Sequence, residues 1–297
     1  MRARYTWPAL AAVAALTLSG CVSNDVPPTS DSASPSSTSV TNTDIAALLP
    51  ADIKKAGVLE VGMANNYPPN EYKGPDGSPM GWSVDLTNAL GAVLGLKVDF
   101  KIETFDNILP KLRGGTLDMG MSSFTDTLER EKQVDFVNYF TAGIQWASPK
   151  GKTVDPNNAC GLKVAVQATT YEDSTEVPAK SKACTDAGKA AIQIFKYDAQ
   201  DSATTALVLG QVDAMSADSP VTLYAIKQTD GKLQPAGEAF EAAPYGIPVA
   251  VGSKLGPVLQ KALQAMVDDG TYTKILTKWG VESGGLDKIT INAASHQ

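Results

Sequence analysis

Between residues 58 and 121 the sequence alternates strand and helix with little chain left for anything else. Val58-Leu59-Glu60-Val61-Gly62-Met63 reads as a strand. Leu86, Ala89, Leu90, Val93 and Leu94 share one helical face, which predicts a helix over 84–94. Val98, Phe100 and Ile102 alternate with polar neighbours as a second strand. Ile108, Leu109 and Leu112 then predict a helix over 105–113, ended by Gly114-Gly115. A third strand over 117–121 follows. Such a β-α-β-α-β order with short connections implies an α/β sheet, which binds ligands just beyond the C-terminal ends of its strands. Three features stand there. Tyr67 lies in a loop over 64–69 that Pro68-Pro69 keep out of helix and strand. Phe105 follows the second strand, and Ser122, Ser123 and Thr125 follow the third. A short charged helix carrying Arg130 comes next. Hydroxyls, free backbone N–H groups and one planar guanidinium fork are what a small carboxylate needs.

The stretch 148–240 repeats the theme. A strand over 162–166 runs into Gln167-Ala168-Thr169-Thr170, where a helix is expected to start. A strand over 192–195 precedes a helix capped by Asp198 and stopped by Gly210. A third strand over 212–215 leads to Asp218-Ser219-Pro220 and a helix to about residue 228. Thr170 marks a helix N-terminus, whose N–H groups favour an anion. Asp218 marks a strand end and can meet a cation. Gln167 and Asn65 lie near enough to touch a ligand, whereas Trp82 and Trp146 are expected to pack in the core. A strand over 245–251, an apolar helical stripe from Leu255 to Val267 and a last helix over 272–279 complete the pattern. The start of the ordered chain reads as a short helix over 45–56 interrupted by Pro50, Pro75-Asp76-Gly77 reads as a hairpin turn, and the tail from 283 is expected to be weakly structured.

The N-terminus is an address. Arg2 and Arg4 precede an apolar run over 9–18, too short to span a bilayer and suited to a signal h-region. Leu18-Ser19-Gly20-Cys21 resembles the bacterial lipoprotein signal, in which the Cys is lipidated and becomes the new N-terminus. Residues 22–43 are Ser, Thr, Pro, Asp and Asn with almost nothing apolar, so they cannot repay their ordering entropy and form a tether. The expectation is a signal peptide over 1–20, a tether over 21–43, and a folded part outside the cytoplasmic membrane, anchored by lipid at Cys21. In that oxidising setting Cys160 and Cys184 are candidates for a disulfide.

Charge and cysteine spacing exclude other classes. A net charge of −7 argues against nucleic acid, whose binders carry basic patches. The single histidine, His296, sits in the tail and is expected to be solvated, so a His-based triad or zinc site is not supported. No CxxC spacing occurs, and neither a metal nor a cofactor is expected. No stretch after the leader has eighteen consecutive apolar residues, so no transmembrane helix is expected.

Several stretches carry a likeness in order. Tyr67-Pro68-Pro69-Asn70-Glu71-Tyr72, Gly81-Trp82-Ser83-Val84-Asp85-Leu86, Thr127-Leu128-Glu129-Arg130 with Gln133-Val134-Asp135-Phe136, Gly210-Gln211-Val212-Asp213-Ala214, and Lys278-Trp279-Gly280 are the principal ones. Together they resemble the extracellular solute-binding proteins of ABC importers, and within them the polar amino acid-binding family, over about residues 57–281. The resemblance implies an α/β, two-lobed periplasmic-binding-protein-like fold (type II) with two hinge crossings, near 143–146 and 241–245. Lobe 1 would be discontinuous, 44–145 and 244–297, with lobe 2 over 146–243. It implies that Arg130 and Thr170 hold the ligand α-carboxylate and that Asp218 meets the α-ammonium. Ser122, Ser123 and Thr125 would touch main-chain groups, and Tyr67 and Phe105 would sandwich the side chain. The implied partners are a free amino acid and the permease subunits of the importer, with the protein itself a monomer and not an enzyme. Three positions depart from the pattern: Asn70 replaces Phe, Thr169 replaces Gly, and Ala64 stands where some relatives carry an acidic residue. The alternative is a secreted cyclohexadienyl or arogenate dehydratase-like enzyme on the same fold, with Glu172 as general acid.

Overall fold

The structure, a computed structural model, describes residues 41–294. The leader, Cys21, the tether up to residue 40 and His296 lie outside the described residues. Residues 41–43, assigned above to the tether, are already tied down: the Asn42 N–H donates to the Val93 carbonyl at 2.8 Å, and the Thr41 hydroxyl to that of Ala92.

Helices α1 (Thr43–Ala46) and α2 (Ala51–Ala56) flank Pro50, and Gly57 ends α2 in the left-handed conformation that needs no Cβ. Then come β1 (Val58–Met63), the small antiparallel sheet β2 (Asn66–Tyr67), β3 (Glu71–Lys73) and β4 (Pro79–Met80), and α3 (Trp82–Leu94). The predicted turn joins β3 to β4, with the Ser78 N–H donating to Asp76 Oδ1. The alternation continues through β5 (Lys97–Ile102), α4 (Phe105–Arg113), β6 (Met119–Gly120), β7 (Phe124–Thr125), α5 (Leu128–Glu131) and β8 (Val134–Pro149). Strands β5, β1 and β6 form a parallel sheet in that order, which gives the α/β sheet implied by the alternation its topology.

The second half contains β9 (Lys163–Gln167), a π-helical turn (Glu172–Glu176) running into α6 (Val177–Asp186), and β10 (Gln193–Tyr197). It continues with α7 (Gln200–Val208), β11 (Ala214–Asp218), α8 (Ser219–Gln228) and β12 (Leu233–Ala250). Helices α9 (Leu255–Asp268) and α10 (Thr271–Trp279) and the short β13 (Thr290–Ile291) complete the order. The larger sheet runs β10-β9-β11-β8-β12-β7, with β13 on β8.

Strands β8 and β12 pair antiparallel and pass through two separate cores. Along β8, Phe140 and Ala142 pack with Leu90, Leu259 and Tyr272, whereas Ile144 and Trp146 pack with Val164, Val177 and Ala214. Along β12 the change falls between Ala236 and Tyr245, where the pairing register shifts repeatedly. Irregular pairing of that kind bends strands. The chain is therefore two α/β lobes joined by two strand crossings.

Some local expectations give way. Asp198 does not cap α7; Ala199 occupies that position without a side-chain bond. The tail is not loose: Asn292 Oδ1 accepts from the Phe136 N–H at 2.7 Å, and the Leu286 N–H donates to the Tyr272 hydroxyl at 3.0 Å. No helix among the described residues is long and apolar enough to cross a membrane.

Cys160 and Cys184 form a disulfide that spans 24 residues of sequence and ties the start of lobe 2 to α6. Closing a loop of that length restricts the unfolded chain by about 3 kcal/mol. The Cys160→Ser, Cys184→Ser double variant is accordingly expected to melt roughly 10 °C lower than the oxidised parent by calorimetry.

Candidate functional site

Tyr67, Phe105, Ser122, Ser123, Thr125, Arg130, Thr170 and Asp218 all line one cavity between the lobes. The fold brings them together because each follows a strand end. Ser122 and Ser123 follow β6, Thr125 ends β7, Thr170 follows β9, and Asp218 ends β11 at the start of α8. Pro220 in the first turn of α8 forgoes an N–H that would lack a partner there.

Two contacts cross the cavity mouth. The Tyr67 hydroxyl donates to Asp218 Oδ2 at 2.8 Å. Arg130 Nη2 donates to the Thr169 carbonyl at 3.1 Å, while Nη1 donates to the Thr125 carbonyl at 2.7 Å. The Arg130 guanidinium lies 5.8 Å from the Phe105 ring and 5.7 Å from that of Phe124. Those rings stack with centroids 4.4 Å apart and wall in the guanidinium. Ser123 and Thr169 both have positive φ, +50° and +64°, a region that non-glycine residues seldom occupy. At Thr169 this turns the carbonyl onto Arg130.

Behind Ser123 runs a buried relay. Trp82 Nε1 donates to Asn70 Oδ1 at 2.8 Å, Asn70 Nδ2 to Ser123 Oγ at 2.9 Å, and Ser123 Oγ to Glu71 Oε2 at 3.0 Å. Asn70, the departure from Phe in the sequence, is thus the hub that fixes Ser123. Ser122 Oγ accepts from the Ala64 N–H, and the Thr170 hydroxyl donates to the Gln167 carbonyl. Trp82 and Trp146 are fully buried packing residues, as expected, and Trp146 Nε1 donates to Glu176 Oε1.

The cavity is more acidic than the motifs alone suggest. Glu71 and Glu172 line it beside Asp218, and Arg130 supplies the one cationic side chain among its lining residues. Burial pushes Glu71 up to about 8, against hydroxyl hydrogen bonds that pull it down. Burial, then the nearby Asp218 charge, holds Glu172 well above the ordinary carboxylate range. Burial raises Asp218 to about 6, although the Tyr67 hydrogen bond and Arg130 oppose it. Desolvation lowers the Arg130 pKa, and Glu172, Asp218 and Asp126 offset part of that.

Sequence reasoning named Glu172 only as the acid of an enzymatic alternative, and treated Glu71 only as a motif letter. Asn66, not Asn65, lines the cavity, together with Gln167 and Tyr171. Among the described residues no group of three or more His, Cys, Asp or Glu is placed to hold a metal ion.

The sequence pattern of the bacterial extracellular solute-binding proteins, family 3, matches residues 59–282. The arginine-binding protein ArgT of Corynebacterium glutamicum is 40% identical over 251 residues, 84% of this chain and 83% of that protein. An ancestral arginine-binding protein, solved with arginine bound, superposes with a TM-score of 0.69 at 36% identity, covering 75% of this chain and 98% of that one. An ancestral amino acid-binding protein, a precursor of cyclohexadienyl dehydratase, superposes with a TM-score of 0.66 at 33% identity over 77% and 97% of the two chains. All three are named as binding proteins rather than as enzymes. With its family pattern spanning both lobes and its cavity lying between them, the chain belongs to the bacterial extracellular solute-binding proteins, family 3.

Proposed function

We propose that this protein is the substrate-binding component of an ABC importer, that it captures a free amino acid between its lobes, and that L-arginine is the first candidate ligand. The observation that carries this reading is the convergence of Arg130, Thr125, Thr170 and Asp218, from both lobes, on one cavity. Arg130 with the Ser122–Thr125 segment would take the α-carboxylate from lobe 1, and Thr170 would add to it from lobe 2. Asp218 would take the α-ammonium, giving up part of its bond to Tyr67. Tyr67 and Phe105 would flank the side chain. The choice of arginine follows the names of the relatives and the acidic lining.

We draw lobe 1 as 44–145 with 244–297 and lobe 2 as 146–243; the two separate cores support a division in this region, with Ile144 already packing in the second core. A ligand that touches both lobes stabilises only the closed form, so capture shifts the equilibrium toward the shape that the permease reads. The N-terminal sequence supports export, lipidation at Cys21 and an extracytoplasmic monomer held at the membrane by that lipid alone.

The test is calorimetric titration of ligand-stripped protein with the twenty common amino acids and with agmatine, which is arginine without its α-carboxylate. Arginine is expected to bind at least about 100-fold more tightly than agmatine, because agmatine brings no carboxylate to the Arg130 guanidinium. Equal affinities for the two would exclude the carboxylate role, and no heat with any amino acid would exclude the function.

A further inference from the structure

The cavity's hydrogen-bonding groups are lopsided. Four buried side-chain atoms that line it have no hydrogen-bond partner: Asn66 Oδ1, Glu71 Oε1, Gln167 Oε1 and Glu172 Oε1. All four are acceptors. Three of the hydroxyl donors nearby are already committed: Ser123 donates to Glu71 Oε2, Thr170 to the Gln167 carbonyl, and Tyr67 to Asp218. Ala64 on the same wall offers only a methyl group. Glu71, Gln167 and Glu172 are no more than 2% exposed, so these atoms lie out of bulk water.

A buried acceptor without a donor costs about 1–3 kcal/mol. Native structures leave few such atoms, and four in one cavity call for an explanation in the ligand. With Glu71 and Glu172 ionised, the array is made of acceptors alone and is completed by a group that has donors alone. Guanidinium and ammonium are the side-chain groups that fit, since both donate N–H and accept nothing. A carboxamide or ureido group brings a carbonyl oxygen that would face other oxygens.

Resting on the reading of this cavity as an amino acid site, we propose that Asn66, Glu71, Gln167 and Glu172 form the specificity wall that selects a cationic, donor-only side chain, with Glu71 and Glu172 supplying the opposing charge. Arg130 at the carboxylate end favours the same ligand class indirectly. The cavity sets the carboxyl groups of Glu71, Glu172 and Asp218 beside that one guanidinium, and a ligand that adds a second positive charge favours their ionised forms.

L-Citrulline is the discriminating probe. It matches arginine in length and shape, but a ureido carbonyl replaces a guanidinium nitrogen and the charge is gone. Titration of the full, ligand-stripped chain is expected to give arginine an affinity at least on the order of 100-fold above citrulline. Glu172→Gln and Glu71→Gln are each expected to shrink that ratio by about tenfold or more, weakening arginine while leaving citrulline unchanged or tighter. A fold defect would lower both affinities together and leave the ratio alone. If Glu71→Gln fails to fold, the parent ratio and Glu172→Gln carry the test. Citrulline binding within about threefold of arginine in the parent, or a ratio unmoved in Glu172→Gln, overturns the specificity wall and leaves the amino acid site standing. Absence of binding by any amino acid removes the site itself.

Discussion

Replacing Arg130 by alanine is expected to weaken amino acid capture by about a thousandfold, roughly 4 kcal/mol, while the protein stays folded. The argument starts from geometry. Arg130 spends Nη1 on the Thr125 carbonyl and Nη2 on the Thr169 carbonyl, so the fork is held from both lobes before a ligand arrives. The Phe105 and Phe124 rings fix its plane. A carboxylate docking there meets donors that need no further ordering, which is where a charge-assisted pair gains most. Removing the guanidinium leaves the ligand carboxylate desolvated and without a counter-charge. The fold loses less. Arg130 is desolvated at a cost of its own, and Asp218, already raised to about 6, can take up a proton when its cationic neighbour is gone. Arg130→Lys keeps the charge but not the planar fork, and is expected to fall between, at roughly 30-fold weaker. Calorimetric titration reads the affinity, and circular dichroism with a thermal melt checks the fold. Unchanged affinity in Arg130→Ala would remove Arg130 from the site and with it the carboxylate assignment.

Much of this site was legible because its residues sit at strand ends, where local pattern speaks for position. Thr170 after β9, Asp218 at the end of β11 and the hydroxyls after β6 each follow a readable strand. What escaped depends on contacts between distant segments. The long pair β8 and β12 has no clean alternation, because each strand leaves one core and enters another. Only the segment 245–251 had a strand-like pattern of its own. The run Glu172-Asp173-Ser174-Thr175-Glu176 has the composition of a solvated helix face. Yet Glu172, Asp173 and Glu176 are buried, because the π-helical turn sets them inward toward Trp146, Ser216 and the cavity. Asn70 stands out in the sequence only as a departure from Phe; its partners Trp82 and Ser123 are 12 and 53 residues away. Sequence spacing shows which residues reach the rim of a sheet. It does not show which polar atoms remain unpaired after the lobes meet.

Those buried acids make stability depend on pH in a direction opposite to that of most carboxylate-rich proteins. Burial raises Glu71 to about 8, Glu176 to about 7, and Asp126 and Asp218 to about 6, and it holds Glu172 well above its ordinary range. A carboxyl with a higher pKa in the folded than in the unfolded chain binds its proton more tightly when folded. Its contribution is therefore complete below the ordinary carboxylate range and is lost as pH rises through the folded value. Asp76 and Asp213 are shifted the other way, but both are held down mainly by local hydrogen bonds near the surface and weigh little. The ligand-free protein is expected to be most stable near pH 5 and to melt about 5–10 °C lower at pH 8.5. A cationic ligand acts in the opposite sense. It favours the ionised forms of Glu71, Glu172 and Asp218, so the rise in melting temperature on adding arginine should grow from pH 5.5 to 8.5. Glu71→Gln and Glu172→Gln should each flatten both trends, since glutamine has no proton to lose. Melting curves at three pH values, with and without arginine, test both limbs. A ligand-free melting temperature that climbs between pH 5.5 and 8.5 would mean that these carboxyls ionise freely in the folded chain. The acidic wall would then be charged before the ligand arrives, and capture would proceed without proton release.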